Sequence, residues 1–169
     1  MRLFTVGHST RSLEEFIHLL QAHGVQQLVD IRTLPGSKRY PHFNLENLQA
    51  SLPEAGIEYS HLKGLGGLRK AKADSRNAGW KNASFRGYAD YMQTEDFAKN
   101  LEILIDLAKS RPTAIMCSEA VPWRCHRSLV ADALLARGME VMHLMSPTQG
   151  KPHRLTSFAK VEGTQVNYP

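Results

Sequence analysis

The sequence predicts a single α/β domain: a mostly parallel sheet of about five strands flanked by helices, with a long basic loop. Three observations predict it. Short apolar runs of strand length alternate with segments whose apolar residues recur at helical spacing. Helix start and stop residues bound several of those segments. The chain, at 169 residues, suits one compact domain with a sizeable core.

The elements follow in order. Leu3 to Val6 is a short apolar run and the first strand. Ser12 and Glu15 have capping-box spacing, and Leu13, Phe16, Ile17 and Leu20 form one helical face that Gly24 closes. Leu28 to Ile31 is a buried-type strand, followed by a loop with Pro35, Gly36 and Pro41. Asn44 caps a helix reaching about Ala55, and Ile57 to Leu62 is the third strand. The segment from Lys63 to Gly87 is glycine-rich, shows no period and reads as a long loop, a type that is usually functional or disordered. Phe97, Leu101, Leu104, Ile105 and Ala108 then keep a helical stripe up to Arg111-Pro112. Thr113 to Cys117 is the fourth strand, Cys125 to Arg137 a helix, and Glu140 to Met145 the fifth strand. Residues 146–169 read as a polar C-terminal extension, with a hairpin expected over Lys160 to Tyr168.

Composition narrows the function. No apolar run reaches the length of a membrane span, and the first residues are too poor in apolar side chains for a secretory signal, so a cytoplasmic location is expected. Two cysteines make no disulfide framework. The net charge of +5 is uneven: Lys63 to Arg86 holds seven basic residues and one acid, +6, so the rest sums to −1. An acid-poor basic loop points to an anionic partner such as DNA, RNA or a nucleotide. Trp80 within that loop, with Phe85, Tyr88 and Tyr91 at its end, would suit base stacking, although Tyr88 and Tyr91 equally fit a helix core face.

In a parallel sheet every strand's carboxyl end lies on one edge, and ligands bind beyond it. The polar residues past those ends are therefore the candidate site: His8, Ser9 and Arg11 after the first strand, Asp30 and Arg32 after the second, His61 or Lys63 after the third, Cys117 and Glu119 after the fourth. Cys125, His126 and Arg127 open the next helix, where free amides and neighbouring cations favour a thiolate or a bound anion. Against each stands a bland alternative. Cys117 reads equally as a core residue, and Asp30 or Glu119 as the holder of an arginine. Familiar motifs do not fit. From Cys117 six residues precede Arg124, and Pro122 removes an amide, so a phosphatase loop matches poorly. Cys-x-x-Cys and phosphate-loop patterns are absent, and no motif specifies a cofactor.

Thr5-Val6-Gly7-His8-Ser9-Thr10-Arg11, Val29-Asp30-Ile31-Arg32, Phe85-Arg86-Gly87-Tyr88 and Cys117-x-Glu119 with Pro122 and Cys125-His126-Arg127 resemble the DUF488 family, a mostly bacterial family of uncharacterised proteins. The resemblance spans nearly the whole chain and implies that these residues form one site. It implies no settled activity, although some relatives carry DNA-repair labels. Three functional readings follow. The first is an enzyme, a hydrolase or transferase, on a phosphate-bearing substrate. In it Arg11, Arg32, Arg127, Ser9 and Tyr88 bind, Glu119, Asp30, His8 or His126 move protons, and Cys117 or Cys125 is a nucleophile. The second is a metal-binding or redox thiol protein using Cys117, Cys125 and His126. The third is a nucleic-acid-binding module without chemistry.

Overall fold

The structure, a computed structural model, describes all residues from Met1 to Pro169. The elements are β1 Arg2–Gly7, α1 Leu13–Ala22, β2 Gln27–Asp30, α2 Leu45–Glu54, β3 Glu58–His61, α3 Ala83–Tyr91, α4 Glu95–Ser110, β4 Thr113–Cys117, α5 Arg127–Ala136, β5 Glu140–Ser146, β6 Gln149–Pro152, β7 Lys160–Glu162 and β8 Gln165–Asn167. Short 3-10 turns occupy Pro41–Phe43, Lys63–Leu65 and Pro122–Arg124. The six-stranded sheet runs β3-β2-β4-β1-β5-β6, parallel except for β6, and β7 pairs with β8 as a separate hairpin.

Strand alternation builds the two faces. Val6, Leu28, Ala114 and Met116 point to the side covered by Phe16, Leu19 and Leu20 of α1 and Leu48 and Leu52 of α2. Leu3, Val29, Ile31 and Ile115 point to the other side, under Leu101 and Leu104 of α4 and Leu129, Val130 and Leu134 of α5. Ser12 and Glu15 form the expected capping box of α1.

Three expectations change. The long loop ends at Asn82, whose side chain accepts the Ser84 and Phe85 amides and starts α3, so Phe85, Arg86, Gly87 and Tyr88 are helical. Gly87 obscures that helix in the sequence, because glycine is a poor helix former. It is needed there: a Cβ at this position would overlap the Arg69 carbonyl of the loop packed on α3. The loop is tied down by Asp90, which accepts from Lys72 N, Ser75 Oγ and Asn77 Nδ2. Second, β6 extends the sheet antiparallel to β5. It is exposed at every residue, so no apolar pattern announces it. Third, the C-terminal residues are not simply a polar extension. Val166 and Tyr168 are buried in the core, and Tyr168 donates from its hydroxyl to Asp132 Oδ2 of α5 at 2.7 Å.

Candidate functional site

Gly7, Asp30, His61 and Cys117 end β1, β2, β3 and β4, and parallel pairing aligns them along one edge. From that edge the chain leaves β1 toward α1 on one face and β4 toward α5 on the other. Crevices open where connections diverge in this way. A cleft of about 270 Å³ lies here. Arg32 and Leu34 after β2, Leu68 of the long loop, Cys117 and Glu119 after β4, and Arg124, Cys125 and His126 before α5 line it.

The two sulfurs meet in this cleft. Cys117 and Cys125 Sγ are in contact, close enough to be joined. Their Cα atoms are 7.3 Å apart, beyond the usual reach of a disulfide, so a relaxed bond requires the intervening loop to draw in. Each sulfur has a different neighbour. Arg127 Nη1 donates to Cys117 Sγ at 2.9 Å. His126 Nδ1 lies 3.6 Å from Cys125 Sγ, and the Arg127 amide donates to that sulfur at 3.5 Å. His126 Nε2 faces the Ile31 carbonyl at 3.1 Å, which fixes the proton on Nε2 and leaves Nδ1 as an acceptor toward Cys125. Burial pushes this imidazole down to about 4, so it is neutral at pH 7 and a weak base.

Arg127 is fully buried. Its Nε donates to Thr5 Oγ1 at 3.1 Å, its Nη2 to the Ala120 carbonyl at 3.0 Å and its Nη1 to the Glu119 carbonyl as well as to Cys117. It has no ion pair with a carboxylate: the salt bridges of the fold involve other residues. Burial pushes the guanidinium down to about 10, still protonated at pH 7. Among the groups bonded to it, only the Cys117 sulfur can carry a negative charge, and only when it is not joined to Cys125.

A hydrogen-bonded chain leads away from Arg127. With Arg127 donating to Thr5, the Thr5 hydroxyl donates to His143 Nδ1, His143 Nε2 to His153 Nδ1 at 2.8 Å, and His153 Nε2 to Asp132 Oδ1 at 2.8 Å. Every proton in the chain is set by the carboxylate at its far end: Asp132 only accepts, so His153 and His143 each carry the proton on Nε2 and the Thr5 hydroxyl donates.

A family model, the domain of unknown function DUF488, matches residues 12–134. The chain belongs to the DUF488 family. No curated protein and no solved structure matches it. The matched stretch of this DUF488 protein carries Asp30, Arg32, the Cys117–Glu119 strand end and the Cys125-His126-Arg127 helix start, and leaves β1 with His8 outside.

The cleft of the DUF488 protein gathers Arg32, Cys117, Glu119, Cys125 and His126 from the residues the sequence nominates. The others do different work. Asp30 accepts from Arg32 through both carboxylate oxygens and from the Tyr59 hydroxyl, so it holds an arginine in place. His8 keeps its proton on Nδ1 for the Ser9 carbonyl and faces Arg32 Nη1 with Nε2 at 3.4 Å, so its lone pair is occupied. The expected phosphate hooks are also engaged within the fold. Arg11 donates to the Gly7 and Met145 carbonyls, Arg32 to Asp30 and Phe43, and Arg127 as above. Tyr88 is buried with its hydroxyl on the Leu65 carbonyl, so no base can stack on it. Ser9 takes a positive φ in the β1–α1 turn, outside the cleft lining. No group of three His, Cys, Asp or Glu side chains is placed to hold a metal: of the set Cys117, Cys125 and His126, the two sulfurs are turned on each other.

Arg124, Leu34 and Leu68 are among the cleft residues that sequence reasoning missed. Arg124 is exposed and makes no ion pair within the fold; Leu34 and Leu68 are 71% and 80% exposed at the lips. Leu68 adopts φ 61°, a conformation that disfavours a side chain and that clusters at functional sites. Its place after the glycine run of residues 64–67 is the one signal the sequence offers.

The buried imidazoles predict a pH dependence. Burial pushes His8 and His126 down to about 4 and His143 to about 3, against about 6.5 in an unfolded chain. Between those values the unfolded chain binds protons that the fold does not, so stability is full above pH ~6.5 and falls on acidification toward pH ~4. Urea unfolding across that window should lose roughly 1–3 kcal/mol per pH unit for the three together after solvent screening. A flat profile contradicts this reading.

Proposed function

We propose that the protein is a thiol–disulfide exchange enzyme with Cys117 as its nucleophile. One observation carries the reading. A buried guanidinium makes no direct ion pair with a carboxylate, Glu119 acting on it only from a distance, and the Cys117 sulfur, once reduced, is the bonded group able to balance it. Buried charges are paired in stable folds, so Cys117 is the thiolate and Arg127 its cation. The thiolate attacks a substrate disulfide, forming a mixed disulfide on Cys117 and releasing one thiolate. Cys125, facing His126 Nδ1, then gives its proton to the released thiolate and attacks the Cys117 sulfur. The Cys117–Cys125 bond forms and the second substrate half leaves as a thiolate. Two electrons move from the enzyme dithiol to the substrate disulfide. Arg124 supplies a cation for an acidic substrate, and Leu34 and Leu68 an apolar grip.

Glutathione disulfide, an anionic probe, tests the sequence of steps. Reduced protein should release two thiols per chain and end as the internal disulfide. Cys125→Ser should stop at a mixed disulfide on Cys117, and Cys117→Ser should not react. Unimpaired reaction of Cys117→Ser, or no mixed disulfide in Cys125→Ser, removes the mechanism.

An anionic macromolecular partner is a second reading, supported by one hollow. Lys72, Lys81 and Arg86 line a recess of about 500 Å³ that contains no carboxylate. Nucleic-acid affinity there should fall steeply with salt, and replacing Lys72 and Lys81 by alanine should flatten the slope by roughly one unit for each phosphate no longer neutralised. An unchanged slope rules the loop out as the footprint.

A further inference from the structure

The Pro122–Arg124 turn serves two cavities. Arg124 lines the thiol cleft, whereas Pro122 and Trp123 line a second cavity of about 370 Å³ that has no part in the chemistry above. Trp80, His143, Lys151 and Arg154 complete the walls that matter here. The volume falls in the range of small-molecule sites.

Its chemistry is selective. Trp123 is 59% exposed, and Lys151 Nζ lies 5.4 Å from its ring centroid. Lys151 and Arg154 are exposed and make no ion pair in the fold, and no Asp or Glu lines the cavity. A lysine on β6 has an ordinary explanation, since charge on an edge strand blocks pairing with other chains. That explanation covers neither the exposed indole under the lysine nor the arginine of the same cavity. An indole face with two unpaired cations and no acid suits a flat ring that carries an anion: the ring stacks on the indole, and the cations take the charge.

We propose that this cavity binds a planar heteroaromatic ligand bearing an anionic group, of nucleoside-monophosphate size. Its ring lies against Trp123 and its phosphate meets Lys151 and Arg154. No thiol lines the site, so with the protein held in one redox state binding is measured separately from the exchange reaction.

Adenosine 5′-monophosphate is the probe, followed by NMR of the full chain. The two tryptophan indole resonances are assigned from Trp80→Phe or Trp123→Phe. The nucleotide should shift the Trp123 resonance saturably. Adenosine and inorganic phosphate should each bind about tenfold more weakly or worse, the effect of losing one charge-assisted hydrogen bond or the stacked ring. Replacing Lys151 and Arg154 together by alanine should weaken the nucleotide to a similar degree, with the rest of the spectrum unchanged. The proposal is overturned by a Trp123 resonance that does not respond, by adenosine or phosphate binding as tightly as the nucleotide, or by undiminished binding in the double variant.

Discussion

Arg127→Met should lower stability by about 3–5 kcal/mol and silence Cys117. The guanidinium is fully buried and satisfies Thr5 Oγ1, the Glu119 and Ala120 carbonyls and the Cys117 sulfur. Methionine fills much of the space but donates nothing. Each acceptor left without a partner costs about 1–3 kcal/mol, and some relax toward water at the cleft. Replacing a whole buried polar cluster by apolar groups is often tolerated, but here the acceptors stay behind. Total stability of a domain is only about 5–15 kcal/mol, so the variant should unfold at far lower urea. Arg127→Lys should recover little, because an ammonium cannot reach four acceptors spread around a planar fork. A methionine variant within ~1 kcal/mol of the parent would mean that the guanidinium does not organise the strand end.

Gly7→Ala should be nearly as damaging, for a steric reason. Gly7 ends β1 beside Cys117, and a Cβ there would overlap the Glu119 carbonyl and press on Arg127 Nη1 at 2.7 Å. The obstacle is backbone, which cannot rotate aside. Forcing a methyl group into a packed position costs about 1–3 kcal/mol, more where the main chain must move. The loop 118–120 has to lift, which takes two carbonyls away from Arg127. The expected result is a loss of about 3 kcal/mol together with slower Cys117 chemistry. A stable variant with normal thiol reactivity would show that the loop has room.

These two residues mark the boundary of what the sequence conveys. The alternation of apolar runs and capped amphipathic segments reveals β1 to β5 and their helices, because buried strands and helix caps leave local signatures. Placing ligands beyond the strand ends then brings Arg32, Cys117, Glu119, Cys125 and His126 together, and the structure puts them in one cleft. Arg127 is harder. At the first turn of a helix it reads as an exposed anion hook, yet α5 is buried without interruption from Arg127 to Leu134. Part of what covers α5 is the β7–β8 hairpin and Tyr168, and their polar sequence gives no hint of a core role. The His143–His153–Asp132 chain is hidden for a related reason: it depends on the turn from β5 into β6, whose strand has no apolar face. Hydrogen-bond partners distant in sequence are set by packing, and no local pattern encodes them.

Thiol alkylation of the reduced protein, mapped by mass spectrometry at pH ~6, where a free thiol is almost wholly protonated, tests the central claim most directly. If Arg127 holds Cys117 as a thiolate, iodoacetamide should label Cys117 far faster than a free cysteine peptide, and Arg127→Lys should remove most of that advantage. Labelling of Cys117 no faster than the peptide while Cys125 and the fold stay accessible to the reagent would contradict the account.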